Sequence, residues 1–225
     1  MEAARALAGE AEGTLPEAGK TAFASAIAEY TDAQLHNAER PESQSALATL
    51  AWERGNVNEA RAAFQTALEL DPTFVAAAVS LADMERTAGD EKAADEILRR
   101  TLAANPESGP VQHALGLSLI RQKRTEDAMP LLAAAANNSP QDPRFGYVLA
   151  IALHDTGKPA EARDVLKNTL ARHPFDRDSL MAFASYAMDE GQFAEALDAA
   201  QRLNELEPNR PEFARLVQEL KKRTQ

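Results

Sequence analysis

Cysteine is absent from the 225 residues, which excludes disulfide frameworks, thiolate metal sites, iron–sulfur clusters, covalently attached c-type haem and cysteine nucleophiles. Aromatic residues are few, with 8 Phe, 3 Tyr and 1 Trp, so the side chains that strands favour are in short supply. No run of lysine or arginine relieves an acidic balance. The 24 basic and 35 acidic side chains give 24 − 35 = −11 and a pI near 4.9, and nucleic acid or an anionic membrane surface is therefore not an expected partner. No stretch approaches the ~20 apolar residues that span a bilayer, so membrane insertion is not expected. Met1-Glu2-Ala3-Ala4-Arg5 lacks the basic start and long apolar stretch of a secretory signal. With 44% apolar and 26% charged residues, the chain reads as soluble and folded rather than disordered, in a compartment, cytoplasm or periplasm, that composition leaves open.

What the chain has in abundance is alanine, 47 residues of it. Alanine is the strongest helix former and lets backbones approach closely, so the expected fold class is all-α. The helices repeat. Pro72, Pro106, Pro140, Pro174 and Pro208 follow one another at intervals of 34 residues; Gly55, Gly89, Lys123, Gly157 and Gly191 lie 17 before them, and Ala60, Ala94, Ala128, Ala162 and Ala196 lie 12 before. A glycine in that place closes a helix through the left-handed conformation, the alanine sits where a second helix presses on the first, and the proline ends the second helix. Leu47, Leu81, Leu115, Leu149 and Phe183 stand beside Ala48, Ala82, Gly116, Ala150 and Ala184 in the first helix, a large-beside-small pattern suited to antiparallel helix pairs. Lys123 in the glycine column and Pro130 early in the next helix mark the 109–142 copy for local distortion.

These columns resemble the tetratricopeptide repeat (TPR) family, most plainly at Leu81-Ala82, Ala94, Leu98 and Pro106, and at Leu115-Gly116, Ala128, Leu132, Ala135 and Pro140. The resemblance implies a right-handed superhelical solenoid of antiparallel helix pairs. Five copies are expected, at 41–74, 75–108, 109–142, 143–176 and 177–210. Residues 1–40 are read as an N-terminal helix at 2–9 and a degenerate first repeat whose helix runs from 17 to 38, opened by a Thr14–Glu17 capping box. Residues 211–225 are read as a capping helix that hides the end of the stack. Two family columns are replaced: the aromatic near the start of the first helix by Gln44, Ala78, Gln112, Gly146 and Leu180, and the mid-helix tyrosine by Ala51, Glu85, Leu119, Leu153 and Ala187. Looser packing between copies is the expected consequence.

By the same resemblance the first helix of each pair lines a concave wall. Positions 5, 9 and 12 of each copy share one helix face, and the candidate binding residues there are Trp52, Val79, Arg86, His113, Leu117, Ile120, Tyr147, Ile151, His154, Met181 and Met188. The later copies make a mostly apolar stripe edged by Arg121, Asp155 and Asp189. The functional expectation is a non-enzymatic scaffold that docks a peptide or helix of a partner protein, with apolar anchors and a polar edge that sets register. The competing reading has some of these residues packed against neighbouring repeats. The carboxylate clamp of the family's chaperone-binding branch needs Lys, Arg and Asn where this chain has Ser45, Thr49, Val79, Asp83, His113 and Leu117, so that mode is not expected. The four histidines form no His-x-x-x-His pair and are read as solvent-accessible or capping; no nucleophile elbow or phosphate loop occurs. No catalytic residue, metal or cofactor is expected, and the sequence leaves open whether the chain forms homo-oligomers. The stretch from Glu29 to Gln34 and from Asn37 to Glu42, with Leu81 to Arg86 and His113 to Leu117, is similar to the TPR region that ends some bacterial multihaem-cytochrome-like proteins, which would make the chain an excised docking or assembly module of a larger redox protein.

Overall fold

From residue 41 onward the helix boundaries obey the 34-residue period, because the same terminators recur. The computed structural model describes residues 15–224; the helix expected at 2–9 and Thr14 of the capping box lie outside them. Among the described residues there are twelve α-helices and no strand: α1 Glu17–Leu35, α2 Pro41–Glu53, α3 Val57–Leu70, α4 Val75–Thr87, α5 Glu91–Ala104, α6 Gly109–Arg121, α7 Thr125–Asn138, α8 Pro143–Asp155, α9 Pro159–Arg172, α10 Arg177–Asp189, α11 Phe193–Leu206 and α12 Pro211–Arg223. Proline opens α2, α8, α9 and α12, a position where its missing N–H costs nothing. Each second helix stops two residues before a proline of the 72–208 series.

The turns inside the pairs share one geometry. Residues 55, 89, 123, 157 and 191 all have positive φ, at 78°, 88°, 60°, 79° and 72°, and the following N–H donates back to the carbonyl five residues earlier, as from Asn56 to Ala51 (2.8 Å) and from Arg124 to Leu119 (2.9 Å). Lys123 is the non-glycine member of this set, so the side-chain strain of the left-handed region falls on it. Pro130 stands in the sixth position of α7, which nevertheless runs unbroken from 125 to 138. The distortion expected of this copy is thus confined to the backbone of Lys123.

Contacts divide the chain into two compact units, one ending at Pro106 and the other beginning at Glu107. In the first, α2 with α3 and α4 with α5 form helix pairs, and α1 packs on α2. Its core gathers Ala48, Ala60, Ala67, Ala77 and Ala78 around Phe64, Leu81 and Met84. Between its two pairs, Arg61 donates to Glu85 through both Nε (2.5 Å) and Nη2 (3.0 Å).

In the second unit, α6 with α7, α8 with α9 and α10 with α11 form pairs and α12 covers α11. Its core is leucine and phenylalanine, including Leu132, Leu149, Leu166, Phe183 and Phe213. Small residues set the approach of its helices: a Cβ on Gly116 would come within 2.7 Å of Leu132, and one on Gly146 would collide with the Thr169 hydroxyl. Asn138 donates to Gln112 across the first pair at 3.1 Å. The replaced family columns are therefore filled rather than loose: Ala78, Glu85, Gln112, Gly146, Leu153 and Leu180 are all buried.

Candidate partner-binding face

The face shared by the first helices of unit 1 is short and largely self-satisfied. On α2, Thr49 donates its hydroxyl to the Ser45 carbonyl, and Trp52 stands 37% exposed. On α4, Val79 is half-buried, and Arg86 donates to Asp83 one turn away through Nε (2.9 Å) and Nη2 (2.6 Å). That contact raises the Arg86 pKa further above its already high value.

Unit 2 presents a longer, more apolar face on α6, α8 and α10. Leu117 and Ile120, then Tyr147, Ile151 and His154, are half-buried, and Met181 is 43% exposed. Ile120, Tyr147 and Ile151 rest on the leucine core, while Met188 leans on the cluster around Ala187, Ala196 and Leu220. These side chains have one flank in the packing and one in solvent. His154 lies flat on Tyr186, with ring centroids 3.9 Å apart and planes 3° from parallel.

His113 stands apart from this group. The structure buries it to 5% exposure against Phe145, ring to ring at 4.6 Å, with neither nitrogen hydrogen-bonded. Burial pushes its pKa down to about 4, with the Arg144 charge adding to the shift and Asp142 opposing it. The expectation of an accessible or capping histidine fails here, because Phe145 on α8 covers the α6 position from the neighbouring pair. His36 and His173 stand at the C-terminal ends of α1 and α9, and His173 Nε2 donates to the Pro140 carbonyl at 2.9 Å.

A feature that sequence reading passed over is a 460 Å³ cleft between α9, α10 and α11, floored by Leu170 and Phe183 and rimmed by Lys167, Glu195, Asp198 and Arg202. Its charged residues scatter over two helices at spacings that match no motif. Among the described residues no group of three or more His, Asp or Glu side chains is placed to hold a metal ion, and no helix is long and apolar enough to cross a membrane.

Family models described as tetratricopeptide repeat match residues 45–109, 92–143, 119–186 and 153–220. The chain belongs to the tetratricopeptide repeat family. As a TPR chain it is, in general terms, a protein–protein interaction scaffold. It is similar to the type IV pilus assembly protein PilF of Pseudomonas aeruginosa, 32% identical over 120 residues that make up 52% of this chain and 48% of PilF. It is also similar to the TPR repeat-containing protein YpiA of Bacillus subtilis, 23% identical over 126 residues, 56% of this chain and 30% of YpiA. The chain spans half or less of the length of these relatives. The solved P. aeruginosa PilF structure matches with a TM-score of 0.63 at 25% identity, covering 73% of this chain and 75% of that one. YrrB, a TPR protein with an unusual peptide-binding site, matches with a TM-score of 0.57 at 21% identity, covering 86% and 97%, a likeness of fold. The cytochrome-like resemblance gains no support from these relatives.

Proposed function

We propose that the TPR chain docks a peptide or amphipathic helix of a partner protein on the first-helix face of unit 2, with Leu117, Ile120, Tyr147, Ile151, Met181 and Met188 as anchors. The observation that carries this reading is the row of apolar side chains that are neither sealed nor free. A residue packed on one flank is held in a fixed rotamer, so a partner that covers its other flank gains apolar burial at little further entropic loss. Methionine at 181 and 188 adapts to the partner's shape. Trp52, Val79 and Arg86 of unit 1 offer a secondary contact surface, and buried His113 serves as support beneath the face. The likeness to PilF favours a role in which the docked protein belongs to an assembly. The test compares capture by the parent chain with capture by Leu117→Asp/Met181→Asp and by Tyr147→Ala/Ile151→Asp, all checked for unchanged helicity. Partners retained by the parent and lost from both variants support the reading; equal recovery from all three overturns it.

A further inference from the structure

The second helices of unit 2 border two crevices that docking on the first helices leaves unused. The 460 Å³ cleft between α9, α10 and α11 has a neighbour of 260 Å³ between α7 and α9, with Gly146 and Leu149 of α8 at its base. The two occupy the same place in consecutive repeats: Leu170, Ala171, Phe183 and Arg202 in the larger stand 34 residues after Ala136, Asn137, Leu149 and Asn168 in the smaller. The end of α9 is the ridge between them. Lys167, Leu170 and Ala171 line one crevice while Asn168 and Arg172 line the other, as three- and four-residue helical spacing requires.

Their chemistry differs. Between α9 and α11 the floor is apolar, Leu170 and Phe183, and the rim charges answer one another: Lys167 pairs with Glu195 at 3.2 Å and Arg202 with Asp198. An occupant there gains by covering carbon and meets no unbalanced charge. Between α7 and α9, two of the polar groups serve their own helices. Asp142 accepts from the Arg144 N–H at 3.0 Å, and the Thr169 hydroxyl donates to the Val165 carbonyl at 3.0 Å. Asn137, Asn168 and Arg172, by contrast, are exposed, and their side chains make no hydrogen bond or ion pair among the described residues. Gly146 puts no side chain into the space they border. One guanidinium and two carboxamides, all with N–H donors, are thus left open, and together they suit a carboxylate.

We propose that the two crevices form a second docking site, taken by an extended segment of a partner protein that crosses the end of α9, with a Glu or Asp side chain on Arg172, Asn137 and Asn168 and a Phe or Leu side chain over Leu170 and Phe183. The width of one helix, about 10 Å, separates the crevices. A polyproline II segment advances about 3.1 Å per residue and returns to the same side every third residue, so side chains three apart reach both. The site is independent of the docking face proposed above, whose anchors sit on α6, α8 and α10.

The test follows amide NMR shifts of the full chain, at low salt, during titration with the peptide Ac-Pro-Glu-Pro-Pro-Phe-Pro-NH2 and with its reversed order, Ac-Pro-Phe-Pro-Pro-Glu-Pro-NH2. Saturable shifts along α9 and the facing parts of α7 and α11 are expected with at least one order. Gln in place of Glu should weaken binding about fivefold, and Ala in place of Phe about tenfold. In Arg172→Gln, a change at an exposed position that spares the fold, the Glu and Gln peptides should bind alike while the loss on removing Phe persists. Leu117→Asp/Met181→Asp should leave the response unchanged. Absence of localised shifts with both orders, equal binding of the Glu and Gln peptides or of the Phe and Ala peptides to the parent chain, or a Glu preference that survives Arg172→Gln overturns the site. Shifts on α6, α8 and α10 that Leu117→Asp/Met181→Asp abolishes would assign the peptide to the first-helix face and overturn it equally. Shifts of the crevice residues on concentrating the chain alone would make a second copy the occupant and overturn the partner segment.

Discussion

Unit 1 and unit 2 solve the same packing problem with different materials. Unit 1 builds on alanine, so its helices come close and a buried carboxylate, Glu85, is balanced by Arg61 across two pairs. Unit 2 builds on leucine and phenylalanine, and it carries three local faults: a left-handed lysine, a proline inside a helix and a buried histidine whose ring nitrogens make no hydrogen bond. The arginine of unit 1 recurs three repeats later as Arg163, which meets Glu190 at 2.5 Å. The faces differ more than the cores. Acid and base satisfy each other on α4, whereas at the end of α8 Asp155 has His154 Nδ1 at 3.9 Å as its ionic neighbour and, among the described residues, Asp189 at the end of α10 makes no ion pair. The columns that set the helix pairs leave the outward positions free to vary, which is how one scaffold presents two unlike surfaces.

The contrast is broken most sharply by emptying the core of unit 2. Leu132 is fully buried and lies over Gly116, so Leu132→Ala should lower stability by about 3 kcal/mol in urea denaturation, with hydrogen exchange showing the loss in α6 and α7 rather than in unit 1. Acid is the next lever. His113 has a folded pKa of about 4 against an ordinary 6.5, so the folded state binds fewer protons than the unfolded chain. Its contribution is complete above pH 6.5 and is lost as pH falls toward 4, by at most about 3 kcal/mol. His113→Leu should flatten the denaturation midpoint across that window; an unchanged slope would place the acid sensitivity elsewhere. In unit 1, Glu85→Gln leaves the Arg61 guanidinium beside a neutral amide and should cost about 2 kcal/mol, read as lost amide protection in α3 and α4. The smallest effect should come from the turn. Lys123→Gly relieves the left-handed strain and should stabilise by about 1 kcal/mol, and Gly157→Lys should cost about as much, both measurable as shifts in melting temperature.

Much of the scaffold was legible because its signals are local. Proline and glycine restrict the backbone wherever they occur, so their 34-residue columns marked the ends of α2 to α11, and the misfit of Lys123 was visible in the glycine column itself. The candidate face was legible only as a list of positions. Helical spacing groups Tyr147, Ile151 and His154 on one side of α8, but it says nothing of depth. His113 and Leu117 belong to the same stripe, and one is sealed while the other keeps an open flank. Nor could spacing show that Tyr186, outside the stripe, lies flat on His154 from another repeat.

Sequence alone determined that this chain is all helix, paired at a 34-residue interval, because helix starts, turns and stops are written in residues whose conformational limits act within a few positions. Tertiary structure alone decided which side chains are sealed, which are shared with solvent and which charges lack a partner. Those properties depend on what a neighbouring helix brings to the same place, and the residues that meet there stand some thirty positions apart in the chain.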